Sequence, residues 1–243
     1  MPTGASANRI IAGDRALSDD RYFTTMIIDS DRDGPLDDAM TSARPGTVIA
    51  NHTGRLILTT ADPNASPDGD ALIAALARAD LIGARLERRS DRRVTGPREC
   101  AYCVGASFLS LVSFTGCAVK IATAPDPLAP FCHLRFPPLA PHPQLYAGRN
   151  TRPPRCRDCR GRLEDWRERT AEWASQPELC VICPSCGATR PPWQWDWKEQ
   201  GGFGRRAILV EEVFPGEATP TDALLDLLRA ASGTGWRHFY VRD

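Results

Sequence analysis

Apolar and polar positions follow one short plan near residue 55 of this chain and repeat it near residue 206. Residues 55–60 (Arg-Leu-Ile-Leu-Thr-Thr) are an apolar and β-branched run that predicts a strand. A turn-rich stretch follows at 61–68, where Pro, Asn and Asp favour non-helical dihedrals. From Gly69 and Asp70 onward Leu72, Ile73, Leu76 and Ala79 recur at helical intervals, with Asp68 or Asp70 near the start and Gly83 past the end. That spacing predicts a helix, and residues 84–88 predict a second strand. In the later copy, residues 206–213 predict a strand and residues 214–220 a turn-rich connector. Thr221 and Asp222 open a helix bearing Leu224, Leu225, Leu227 and Leu228, Gly233 and Gly235 end it, and residues 236–241 predict a closing strand. The helices align as Asp70-Ala-Leu-Ile-Ala-Ala-Leu76 against Asp222-Ala-Leu-Leu-Asp-Leu-Leu228.

Between the copies, residues 107–114 predict a strong strand with 118–122 as its hairpin partner, and residues 124–154 are Pro-rich and predict a surface loop. Residues 163–173 place Leu163, Trp166 and Trp173 along one face and predict a short amphipathic helix. Ahead of the first copy, residues 22–28 predict a strand that leads into Asp29, Asp31, Asp33 and Gly34. That run matches the first half of an EF-hand loop, but Pro35 holds position seven and Met40 stands where the closing Glu belongs, so it reads as a solvated Asp-rich turn. The expected organisation is a weakly structured segment at 1–50, a first β-α-β unit with a hairpin at 51–125, and a connector at 126–154. A cysteine-rich module at 155–200 and a second β-α-β unit at 201–243 complete it. The expected fold class is α+β, with two β-α-β units in a ferredoxin-like or related split sheet.

Charge and composition narrow the partners. Acidic and basic residues balance at 30 each among 243 residues, so no global field draws the chain to nucleic acid or anionic membrane. No apolar run approaches the ~20 residues of a membrane helix, and no membrane association is expected. The N-terminus shows no basic region followed by an apolar core, and nine cysteines without such a signal suit metal binding in a reducing compartment. The expected location is cytoplasmic, and the abundance of Arg, Ala and Pro points to a bacterial source.

Cys156-Arg-Asp-Cys159 and Cys183-Pro-Ser-Cys186-Gly187 are two Cys-x-x-Cys pairs at the separation that lets one tetrahedral ion be held from both sides. The second pair resembles the knuckle of bacterial zinc ribbons, in which a Gly after the second Cys permits the turn that aims amides at the sulfurs. The first, Cys156-Arg-Asp-Cys159-Arg-Gly161, is similar with its glycine one residue late. The resemblance covers this module alone, and it implies structural zinc on Cys156, Cys159, Cys183 and Cys186. Cys180 also has pair spacing to Cys183 but lacks the Pro and Gly context, and reads as a spare thiol. Cys100 and Cys103, with Cys117 and Cys132 or His133, are candidates for a second zinc shell or a redox pair, weighed against plain packed cysteines.

Arginines at 149, 152, 155, 157, 160, 162, 167 and 169 suggest phosphate contacts, but Asp158, Glu164, Asp165 and Glu168 interleave with them and dilute the patch. Trp193, Trp195 and Trp197, if in a strand, project from one face and, with Arg160 and Arg162, are candidates for a partner-binding surface, weighed against packing over the metal module. No phosphate loop, nucleophile elbow or His-Glu-x-x-His run occurs. The leading expectation is a non-catalytic zinc-ribbon protein with a protein partner. Nucleic-acid binding, or a thiol or metal enzyme using Cys100 and Cys103, are the alternatives.

Overall fold

The computed structural model describes residues 54–86, 99–115, 122–125, 130–214 and 216–242. The strand expected at 22–28, the Asp-rich turn after it, Cys117 and most of the hairpin partner at 118–122 lie outside the described residues.

The first strand, β1 (Arg55–Thr60), is buried along nearly its whole length, as a central strand requires. Helix α1 (Gly69–Arg78) follows the turn, with the Asp68 carboxylate accepting from the Asp70 amide and Leu72, Ala75 and Leu76 buried. β2 (Ile82–Arg85) and β3 (Cys100–Val104) pair antiparallel. The strand expected at 107–114 is divided into a helical turn, α2 (Phe108–Leu111), and a short strand, β4 (Val112–Phe114). Phe108 and Val112 are both buried four residues apart while Leu109 is exposed, so helical spacing overrides the β-propensity of the run.

Residues 124–154, expected to be a surface loop, instead carry two strands, β5 (His133–Phe136) and β6 (Gln144–Ala147). Leu134 and Phe136 are buried at alternate positions, a period-two pattern that the surrounding prolines obscure in the sequence. The helix expected over 163–173 is a 3-10 turn at Glu164–Trp166 followed by α3 (Thr170–Ser175), yet Leu163, Trp166 and Trp173 are all buried together. Two very short strands, β7 (Val181–Ile182) and β8 (Thr189–Arg190), pair antiparallel. β9 (Gly201–Gly204), β10 (Ala207–Glu211) and β11 (Ala218–Pro220) lead to α4 (Asp222–Ser232) and β12 (Trp236–Val241). Thr221 caps α4, its hydroxyl accepting from the Leu224 amide, and Gly233 ends it at a φ of 69°.

The main sheet has six strands in the order β12-β1-β10-β5-β3-β2. Each neighbouring pair is antiparallel. It follows that β10 and β12 run parallel with β1 between them, and that β1 and β2 run parallel at a distance. Helices α1 and α4 lie on one face, where Leu72, Leu76, Leu224 and Leu228 meet Leu56, Leu58, Leu134, Ile208 and Val210. The other face carries Ile57, Leu209, Phe239 and Val241, packed against Tyr146. β6 and β9 pair on that side, and the sequence Gly-Gly-Phe-Gly of β9 explains how. A Cβ on Gly202 would lie 2.7 Å from the Phe239 ring, and one on Gly204 would strike the Thr59 hydroxyl. Glycine at both positions brings the backbone down onto the sheet, while Phe203 joins the separate core of the cysteine-rich module.

Candidate metal centre

The two Cys-x-x-Cys segments fold into near-identical knuckles. In the first, the Arg160 amide donates to the Cys156 carbonyl at 3.0 Å and the Cys156 amide to the Gly161 carbonyl at 2.8 Å. In the second, the Gly187 amide donates to the Cys183 carbonyl at 2.9 Å and the Cys183 amide to the Ala188 carbonyl at 2.8 Å. The bridge between Arg155 and Arg162 matches the pairing of Ile182 with Thr189. Each knuckle turns through a left-handed residue: Gly187 at φ 73° and Arg160 at φ 64°. The glycine that stands one position late in the first knuckle has another role. A Cβ on Gly161 would lie 2.5 Å from the Ser185 hydroxyl, so Gly161 lets the second knuckle approach.

This approach brings the four sulfurs together. The Sγ of Cys156 is 3.8 Å from that of Cys186, the Sγ of Cys159 is 3.6 Å from that of Cys183, and all four lie within 4.8 Å of one another. Metal–thiolate bonds of about 2.3 Å in a tetrahedron require sulfur–sulfur edges of roughly 3.8 Å. The cluster is therefore capable of coordinating a metal ion, as a ribbon-like module does. Cys156 and Cys183 are buried, at 0% and 1% exposure, and Cys159 and Cys186 face outward. Burial works to raise the Cys183 thiol, but the Cys186 and Ser185 amides and its sulfur neighbours bring it down to about 6. At Cys186 the Ala188 amide pulls downward, and the crowd of neighbouring thiols and burial outweigh it, up to about 12. One thiolate is thus favoured at neutral pH and further ones repel it; a cation relieves that repulsion. Cys180 is exposed and outside the cluster.

The buried ligands belong to a core of indoles. Cys156 and Cys183 pack with Leu163, Trp166, Trp173, Val181, Trp195, Trp197 and Phe203. Trp166 and Trp197 meet edge to face at 5.3 Å, and the Trp197 indole donates to the Pro192 carbonyl at 2.8 Å. Of the two readings of Trp193, Trp195 and Trp197, an aromatic surface or packing over the metal module, the structure takes the packing. Pro192–Gln194 is a 3-10 turn rather than strand, Trp195 and Trp197 are buried, and Trp193 is half-buried beside Phe203. Pro192, with fixed φ and no donor, suits a helical first turn and breaks the period-two projection. Strands of two residues bury little by themselves, so the indoles supply the interior.

Several of the arginines pair with acids. Arg160 meets Asp196 at 2.9 Å, Arg169 meets Asp165 at 2.7 Å, Arg162 lies 4.0 Å from Glu164, and Arg190 pairs with Asp158. Arg167 lies 4.3 Å above the Trp166 ring. Arg160 and Arg162 remain exposed over half of their side chains, at 50% and 58%. Asp196 is the member that sequence reading passed over. Burial works to raise its carboxyl, but hydrogen bonds from Lys198 and Arg160 hold it below its ordinary range, and its backbone pairs with Arg155. Its place between two tryptophans, beside Lys198, was the available signal.

Among the described residues the candidates for a second site form no cluster of three or more ligands. Cys100 and Cys103 lie three residues apart in β3, which sends their thiols to opposite faces of the sheet. Cys103 stands opposite His133 in register, and a ring nitrogen of His133 is 2.8 Å from the Phe131 carbonyl. Cys132 is buried in the helix-side core, where burial, then Glu212 and Glu211, push its thiol up to about 12. Among the described residues, the four cysteines of the two knuckles are the one group of three or more potential ligands.

Among the described residues no helix is long and apolar enough to cross a membrane. No protein-family model, curated protein or solved structure matches this chain.

Proposed function

We propose that this chain is a non-catalytic interaction or assembly protein in which a structural zinc ion staples residues 155–200. The observation that carries this reading is the closed shell: four sulfurs at tetrahedral spacing, two of them buried in an indole core. Four thiolates leave no coordination position for water or substrate, and their softness selects zinc over magnesium or calcium. The partner is a protein, met on the outer side of the module, where Arg160 and Arg162 are exposed and Ile182 stands 63% exposed. Ion pairing of Arg160, Arg162 and Arg169 weighs against a nucleic-acid partner, since paired cations release few counterions from phosphate.

The module, in this reading, is inserted into a ferredoxin-like α+β sheet. What supports it is the strand order: β12, β1, β10 and β2 follow the ferredoxin-like sequence, with β5 and β3 placed between the last two. Both helices pack on one face, as that arrangement requires.

Cobalt substitution of the full-length chain tests the closed shell. The expected result is one Co(II) per chain with the absorption of tetrahedral four-thiolate coordination. Fewer than one ion, or a spectrum with oxygen donors, would refute the reading. For the partner surface, Arg160→Glu with Arg162→Glu should abolish the complex recovered under gentle lysis while zinc content stays at one per chain. A complex that survives this change removes that surface from the proposal.

A further inference from the structure

The four sulfurs are unequal, and the inequality has chemical direction. Two sulfur–sulfur contacts each join an outward-facing thiol to a buried one and cross between knuckles: Cys186 with Cys156 at 3.8 Å, and Cys159 with Cys183 at 3.6 Å. We infer that Cys159 and Cys186 are oxidant-sensing modification sites, each resolved by its cross-knuckle partner, so that peroxide exchanges the zinc staple for two disulfide staples. This rests on the zinc reading above.

The chemistry balances with hydrogen peroxide as the oxidant. The exposed Sγ of Cys159 or Cys186 attacks one peroxide oxygen; the O–O bond breaks, an S–O bond forms, and the departing hydroxide takes a proton to become water. The sulfur loses an electron pair and becomes a sulfenic acid, a far poorer ligand than thiolate. The buried Sγ of Cys183 or Cys156 then attacks that sulfur; the S–S bond forms, the S–O bond breaks, and the second hydroxide also leaves as water. One peroxide is consumed per disulfide, so two peroxides convert four thiolates and release one aqueous zinc ion.

Connectivity gives the event its structural meaning. Disulfides within each Cys-x-x-Cys pair would leave the knuckles unattached to one another. Cross-knuckle bonds join the same two segments that the ion joins, 156–161 and 183–188, so the indole core keeps its closure. Burial of Cys156 and Cys183 restricts attack on them by solvent-borne oxidant, which leaves them reduced to act as resolving thiols. Cys180, exposed three residues before Cys183, is the competitor that could divert the second bond.

Full-length Cys180→Ser protein, purified with its zinc, is titrated with peroxide. Released zinc is read by a chromogenic chelator, disulfides by peptide mapping, and the core by tryptophan emission. The expected outcome is one zinc released for two peroxides, bonds Cys156–Cys186 and Cys159–Cys183, unchanged emission, and full zinc rebinding after a thiol reductant. Bonds within either Cys-x-x-Cys pair overturn the inference, as do sulfinic acids at Cys159 and Cys186 or retention of zinc. Zinc below one per chain before peroxide is added fails the earlier reading instead, and the disulfide map of the metal-free protein still decides the pairing.

Discussion

Cys183 belongs to two Cys-x-x-Cys spacings at once, and the residues after it decide which one binds. Gly187 takes the left-handed turn that returns its amide to the Cys183 carbonyl, whereas Cys180 precedes β7 and points to solvent. Cys183→Ser is therefore expected to lose stoichiometric zinc and to unfold the module, since structural zinc contributes about 10–16 kcal/mol of apparent binding energy. Cys180→Ser should keep one zinc per chain; metal analysis of both variants separates the assignments. A second consequence at this scale concerns Cys132. Its thiol is raised from 9.0 to about 12 by burial first, then by Glu212 and Glu211. The folded state thus holds this proton more tightly than the unfolded state does. Its contribution to stability is complete below pH 9 and is lost as pH rises towards 12. In a Cys132→Ala background, the fall in urea stability across that window should be shallower than in the parent; an equal slope would assign the alkaline loss elsewhere.

Elements fixed by a local pattern were legible from sequence, and elements fixed by their neighbours were not. Asp68 and Thr221 announce helix starts because their side chains satisfy free amides within the next turn, and Gly233 announces an end because only it turns left-handed cheaply. The knuckles were legible for the same reason: spacing and a turn residue specify them. The division of residues 107–114 was not, because burial of Phe108 and Val112 against the sheet selects a helical turn that propensity opposes. Nor was the burial of Trp195 and Trp197, since alternation shows which residues share a face but not which face meets a core. β9 carried its meaning openly in three glycines whose purpose only the packing reveals. Gly202→Ala is expected to drive a methyl against the Phe239 ring and Arg237 side chain, both at 2.7 Å. The cost should be about 1–3 kcal/mol, as for other overpacked core sites. Equilibrium urea unfolding would show it, and a change below about 0.5 kcal/mol, the range of ordinary surface substitutions, would mean that β9 does not bear on the sheet as closely as described.

On the scale of the whole molecule, the chain carries separate interiors that respond to different perturbations. The helix-side core draws on β1, β3, β5, β10, β12 and the helices, whereas the module core draws on residues 145–203 and the metal ligands. A metal ion held by the four cysteines would bear directly on the second alone. Of six tryptophans, Trp166, Trp173, Trp195 and Trp197 are buried in the module core and Trp236 in the helix-side core. Removing zinc with a strong chelator under reducing conditions should therefore shift tryptophan emission to longer wavelength while the far-ultraviolet signal of α1 and α4 persists. Unfolding by heat after chelation should then show one transition in the helical signal with no accompanying change in the module's tryptophan emission, because the module is already unfolded while the sheet is not. They are linked through β9, with Phe203 in the module and its glycines against Phe239 and Thr59 of the sheet, and through Asn150, whose side chain donates to the Tyr240 carbonyl of β12. If these links were strong enough to transmit the loss, chelation would abolish both signals together, and the sheet would depend on an ion it does not touch. Persistence of the helical signal when Trp166, Trp173, Trp195 and Trp197 are fully exposed is the outcome that the separation of the two cores requires.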